Sequence, residues 1–193
     1  MDPGCALFHT AFLHLWRREP ELVGERAARI LDVAETHDFP IWMAVGKCLG
    51  GAAKAAMGDH DDGLEQVREG MRLYQGLKTP PVFWPLLLYV ESGACVGAGR
   101  TEEGLALIEE AVELAGRREG MTLLPGFHMH KGDLLSAGTE AERAGAEPLF
   151  HQAFDIARNL DARTWQLRAA TRLCRAARER GDRDGKDDRL RSV

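Results

Sequence analysis

The sequence predicts an all-α fold, a right-handed α-α superhelix of stacked helical hairpins, and three observations predict it. Apolar residues recur three and four positions apart, while β-branched runs with period two are absent. A four-residue signature of apolar, charged, apolar, then Ala or Tyr occurs as Leu31-Asp32-Val33-Ala34, Met71-Arg72-Leu73-Tyr74, Val112-Glu113-Leu114-Ala115 and Phe154-Asp155-Ile156-Ala157, at steps of 40, 41 and 42. A second marker keeps the same beat: Trp42, Trp84, Leu124 and Trp165 open the helix after each signature, at steps of 42, 40 and 41. A unit of about 41 residues with two helices has no means of burying its apolar faces alone, so neighbouring units must stack, giving about 4.5 repeats.

The elements follow from punctuation laid over that beat. A first helix over 4–17 ends before Pro20, which opens a second over 21–37. Pro40 opens a third over 40–57, closed by Gly58. The run Gly58-Asp59-His60-Asp61-Asp62-Gly63-Leu64 leads into a fourth over 61–76, whose Leu64, Val67, Met71, Leu73 and Tyr74 form one stripe. Pro80 and Pro81 precede a fifth over 83–98, closed by Gly99. The matching run Gly99-Arg100-Thr101-Glu102-Glu103-Gly104-Leu105 opens a sixth over 101–118. Pro125 marks a seventh over 122–137, closed by Gly138. Pro148 would break a helix started at Glu140, so the eighth is placed at 146–160 and residues 138–145 are read as a loop. The ninth, over 163–180, lacks a partner helix, because residues 181–193 are short, polar and glycine-punctuated. One helical-repeat domain over 1–180 and a disordered tail over 181–193 are therefore expected, with the last helix showing an open edge.

Composition excludes several function classes. With 193 residues, 45% hydrophobic and 28% charged, the chain is long enough to bury a large core without disulfide or metal staples. A formal charge of -5 lacks the basic footprint that neutralising phosphates requires, so direct nucleic-acid binding is not expected. Cys5, Cys48, Cys95 and Cys174 are scattered with no CxxC pair, which fits a reducing cytosol. The longest apolar stretch, Val82 to Val90, contains Pro85 and is too short to cross a bilayer.

Particular runs add a family resemblance. Phe154-Asp-Ile-Ala-Arg-Asn-Leu-Asp-Ala-Arg-Thr-Trp165-Gln-Leu-Arg-Ala-Ala-Thr-Arg-Leu173, the lead-in His37-Asp-Phe-Pro-Ile-Trp42 and the link Trp16-Arg-Arg-Glu-Pro20 resemble the tetratricopeptide-like carboxy-terminal region of large bacterial signalling proteins. In that family a predicted P-loop ATPase module precedes the repeats, commonly with a class III adenylate cyclase or a winged-helix domain at the amino end. The resemblance covers roughly residues 5–180 and implies a cytoplasmic, non-catalytic module for protein contacts and regulation. Its motifs are packing residues, and the family's catalytic modules lie upstream of anything in this chain.

The residues offer little chemistry of their own. No P-loop is present: Gly46-Lys47 is followed by Cys48, with Ile41 where the first glycine should stand. The pairs Asp61-Asp62, Glu102-Glu103 and Glu109-Glu110 fall at helix starts or on polar faces, where the helix dipole or solvation accounts for them. Cys5 and His9 share a helix face without a second ligand pair, and His128 and His130 are two apart, on different sides of a helix. No catalytic, cofactor-binding or metal residues are therefore assigned, and no cofactor is expected. What remains is recognition. Helices that begin near each Trp are expected to line the concave side, which puts Lys47, Tyr89, Ser92, Met129 and Asp133 on the candidate interaction face, with Trp42, Trp84 and Trp165 as core. The expected partner is a protein or another domain of a signalling protein, with a homodimer through the open last helix as a further arrangement. A ligand-sensing repeat domain and a fragment of a cyclase or ATPase enzyme are the alternative readings.

Overall fold

A computed structural model describes residues 3–78, 82–117 and 122–179. Among the described residues all regular structure is helical: α1 (Pro3–Arg17), α2 (Pro20–His37), α3 (Pro40–Ala56), α4 (His60–Gly76), α5 (Trp84–Gly97), α6 (Thr101–Gly116), α7 (Leu124–Ser136), α8 (Glu140–Asn159) and α9 (Arg163–Glu179). The chain divides into two compact units, Met1–Leu107 and Ile108–Val193. The polar tail, Pro80 and Pro81 lie outside the described residues.

In the first unit each helix packs on the next, from α1 to α5, and alternate helices also touch, α1 with α3 and α3 with α5. α3 sits between four others, which explains why all but a narrow side of it, carrying Lys47 and Lys54, is apolar: Trp42, Ala44, Val45, Cys48, Leu49, Ala52, Ala53 and Ala55 are all buried. Small residues let α4 approach it closely. A Cβ on Gly63 would stand 2.5 Å from the Ala55 nitrogen, and one on Gly51 would stand 2.5 Å from the Gly63 oxygen. The second glycine of each matched run thus serves helix contact, for a Cβ on Gly104 would likewise stand 3.0 Å from the Ser92 oxygen. At the amino edge Phe8, Phe12, Trp42 and Phe83 form an aromatic cluster, with Phe8 centred 4.6 Å from Phe83 and 4.8 Å from Phe12. Burying Phe8 and Phe12 contributes roughly 1.5–3 kcal/mol each.

Positive-φ residues close several of the described helices. Left-handed residues follow the helices that begin near the Trp positions at Arg18, Gly58 and Gly99, and follow the signature helices at Asp38, Lys78 and Asp161. At Arg18, in the same corner that Gly58 and Gly99 fill, a side chain is held at φ 60°. Glycine adopts that conformation without the Cβ clash, so Arg18→Gly should stabilise the first unit by about 0.5–1 kcal/mol, read as a raised thermal midpoint.

The fourth position of the signature is buried in all four copies, as Ala34, Tyr74, Ala115 and Ala157, and its second is exposed in all four. Its first and fourth residues are buried in Met71–Tyr74 and Phe154–Ala157, whereas Leu73 in the third position is 41% exposed. In the second unit α7, α8 and α9 pack mutually. Their core is Met129, Ala146, Phe150, Ala153, Phe154, Ala169, Ala170 and Leu173, flanked by Leu135 and Trp165. Of the loop expected at 138–145, residues 140–145 are instead the first turns of α8. Thr139 and Glu142 form a reciprocal capping box, with Glu142 Oε2 accepting from the Thr139 N–H at 2.7 Å, which starts the helix at Glu140. Pro148 is carried inside the helix and is exposed, as is Ala144, so water can reach the carbonyl that loses its donor. Gly138, expected as a left-handed cap, is not in that conformation and leads into the capping box instead.

Candidate functional site

Lys47, Tyr89 and Ser92 belong to the first unit, Met129 and Asp133 to the second. Lys47 on α3 is half-buried, with its Nζ 2.9 Å from Glu69 Oε1 on α4. Tyr89 on α5 is half-buried. Ser92 is wholly buried, at 0% exposure, and its hydroxyl donates to the Gly104 carbonyl at 2.7 Å, tying α5 to α6. Met129 is 2% exposed within the core of the second unit. Asp133 accepts from Arg172 Nε at 2.7 Å and Nη2 at 2.6 Å, a bidentate pair between α7 and α9.

Two of the five expected face residues are therefore corrected: Ser92 and Met129 are core residues without surface to offer. α5 is apolar on nearly all sides and α7 mixes polar and apolar residues around its circumference, so repeat register gives no polar stripe to separate groove from core. Lys47 and Asp133 keep some exposure but are engaged across neighbouring helices.

Two more buried polar groups serve the same end. Cys48 donates its thiol to the Val67 carbonyl at 3.5 Å, and the buried Gln166 donates to the Ala157 carbonyl at 3.3 Å. Trp42 is buried, while Trp84 and Trp165 are partly buried, Trp84 stacked on Tyr74 at 6.1 Å and Trp165 beneath the Arg168 guanidinium at 5.3 Å. The Cys5 thiol lies 3.6 Å from His9 Nδ1, but that nitrogen is also 2.8 Å from the Cys5 carbonyl, a tie along one helix turn.

Sequence reasoning missed one charged cluster. Glu91 and Cys95 on α5 and Glu103 on α6 bring three ligand-type atoms within 4.8 Å of one another. Arg68 on α4 stands among them, bonded to Glu103 and 3.4 Å from Glu91 Oε1, while Arg100 holds Glu103 at 2.7 Å. Burial pushes the Glu91 carboxyl up, and burial beside Glu103 and Glu91 pushes the Cys95 thiol up to about 11. The thiol stays protonated at neutral pH, and a guanidinium supplies the positive charge that a metal would bring. The i, i+4 spacing of Glu91 and Cys95 was the available signal, but only the fold brings Arg68 to it.

No family model, curated protein or solved structure matches this chain. The candidate site thus rests on geometry and on what the surface leaves open.

Three features present open surface. In the first unit a cavity of about 200 Å³ is lined by Ala34, Phe39, Pro40, Met43, Leu73 and Leu77, with Glu35 and Asp38 among its walls. Phe39 and Leu73 are each 41% exposed there. A second cavity of about 290 Å³ is bounded by Leu15, Pro20, Val23, Ala52, Ala53 and Ala56, with Arg18 and Glu19. In the second unit α9 shows solvent Leu167, at 52% exposure.

His128 carries a pH dependence. Its Nδ1 is buried without a hydrogen-bond partner, and burial, then the Lys131 charge, lowers its pKa from the usual 6.5. The unfolded chain therefore binds this proton more readily than the folded one, so His128 leaves stability intact above pH 6.5 and erodes it as pH falls below that value. His128→Leu should flatten this acid-side loss in urea midpoints taken between pH 7 and 5; an unchanged slope would reject the assignment.

Proposed function

We propose that this chain is a non-catalytic tetratricopeptide-like module, a right-handed α-α superhelix that recognises protein partners within a bacterial ATPase or adenylate cyclase signalling system. The observation that carries the reading is the recurrence of left-handed corners at Arg18, Gly58 and Gly99, 40 and 41 residues apart, with alternate helices in contact. The signalling context rests on the resemblance of the runs ending in Trp42 and Leu173. In support of a binding role, the polar side chains within the hairpins tie helix to helix, whereas Phe39, Leu73 and Leu167 present apolar surface to solvent.

The test pairs two assays. Purified chain given ATP with magnesium or manganese should produce neither cyclic AMP nor phosphate above background. A purified ATPase–cyclase protein of the resembled family, from the same source but lacking its own repeats, should bind the chain and change its turnover. Product formation by the chain alone, or no binding and no effect, would reject the proposal.

A second reading, ligand sensing, is favoured by the cavity of about 290 Å³ beside Val23 and Ala53, near the lower size of small-molecule sites. A bound compound at 100 times its dissociation constant would add about 2.7 kcal/mol to stability, which a thermal-shift screen detects.

A further inference from the structure

We infer that α9 of one copy docks into the Phe39–Leu73 cavity of a second copy, so that the chain associates with itself through an apolar knob on a stripe of arginines and an apolar socket walled by acids. The inference rests on the protein-contact reading above and names the partner.

The knob follows from helical spacing. Arg163, Leu167, Thr171, Cys174 and Arg178 recur at steps of four and three, which gathers them on one face of α9, with Arg175 at its margin. Arg163, Leu167, Thr171, Arg175 and Arg178 are exposed, and Cys174 is partly so. This face holds three guanidiniums, of Arg163, Arg175 and Arg178, with the exposed Glu179 carboxylate beside the last two, in a chain whose formal charge is -5. Among the described residues Arg163 has only a distant contact, 3.9 Å, with the exposed Asp161, while Arg172 and Arg168 are engaged with Asp133 and Trp165. Leu167 lies one turn from Arg163 and about three turns from Arg178 on that face, and an exposed leucine on a stripe of arginines offers both an apolar anchor and a charge signature.

The socket has the complementary make-up. Six apolar residues line the cavity of about 200 Å³, room for one branched aliphatic side chain, and its two charged lining residues are Glu35 and Asp38. Both are exposed and have no ion-pair partner among the described residues. Leu167 entering the cavity would cover Phe39 and Leu73 and bring the arginines toward Glu35 and Asp38. Opposite potentials of this kind select orientation and speed encounter, while burial of the leucine supplies holding energy. The contact joins unlike surfaces, so it closes as a dimer if exchanged reciprocally and runs on to larger species if not.

Sedimentation equilibrium of the full chain from 1 to 200 µM, at low and high salt, tests the inference. Self-association that weakens with salt is expected. Leu167→Asp should weaken it about tenfold or more, as should the pair Glu35→Arg and Asp38→Asn. The pair Arg163→Glu and Arg178→Glu should do the same, and mixing the two charge-reversed proteins should restore association between them. All these positions are exposed, and unchanged circular dichroism melts verify that each variant folds. A chain that stays monomeric at 200 µM overturns the inference, as does association indifferent to these changes or charge-reversed partners that fail to recover. If self-association fails while the ATPase–cyclase protein still binds, another occupant fills the socket and only this inference falls.

Discussion

Gly63→Ala should destabilise the first unit by about 3 kcal/mol or more, the upper end of what overpacking costs, even though alanine favours helix over glycine by about 1 kcal/mol. The added methyl would stand 2.5 Å from the Ala55 nitrogen and 2.7 Å from the Gly51 oxygen. Both are backbone atoms of α3, so no rotamer change relieves the clash and the helix pair must separate. α3 is packed on α1, α2 and α5 as well, which leaves it little room to retreat. Gly93 provides the control: it is helical, and nothing lies within 4 Å of where its Cβ would be. Gly93→Ala should therefore stabilise by up to about 1 kcal/mol. Urea unfolding of both variants checks the opposite signs; a neutral Gly63→Ala would mean that α3 and α4 are not in backbone contact.

In the second unit the largest loss is expected from Phe154→Ala, about 3–5 kcal/mol. Phe154 is 2% exposed and sits in a core with Phe150, Met129 and Leu173. Truncation removes the ring from contact on several sides and leaves a void between α7, α8 and α9. Phe154→Leu should cost less, since more of the volume is retained. A urea unfolding free energy for Phe154→Ala within about 0.5 kcal/mol of the parent would show that this core closes over the void or that Phe154 lies outside it.

Much of this architecture is legible in residue order. Pro20 and Pro40 stand at the first positions of α2 and α3, Gly58 and Gly99 take left-handed backbone, and the helix boundaries follow the forty-one-residue beat within a few positions. Pro148 misled because a local rule against proline within helices competed with a capping box at Thr139 and Glu142, and the box prevailed at an exposed stretch of α8. The interaction face was less legible for a different reason. Ser92 reads as polar and Met129 as adaptable, yet both lie on helices without an apolar–polar asymmetry, so only tertiary packing decides their direction. Arg68, Glu91 and Glu103 come from three helices, and no spacing along the chain connects them.

The equivalence of the corners at Arg18, Gly58 and Gly99 bears on how such a chain changes length over generations. A genetic duplication or excision with its breakpoints at two of these corners would splice backbone of one handedness onto backbone of the same handedness. No foreign joint has to be accommodated, so gain or loss of a whole hairpin would ask little of the backbone at the splice.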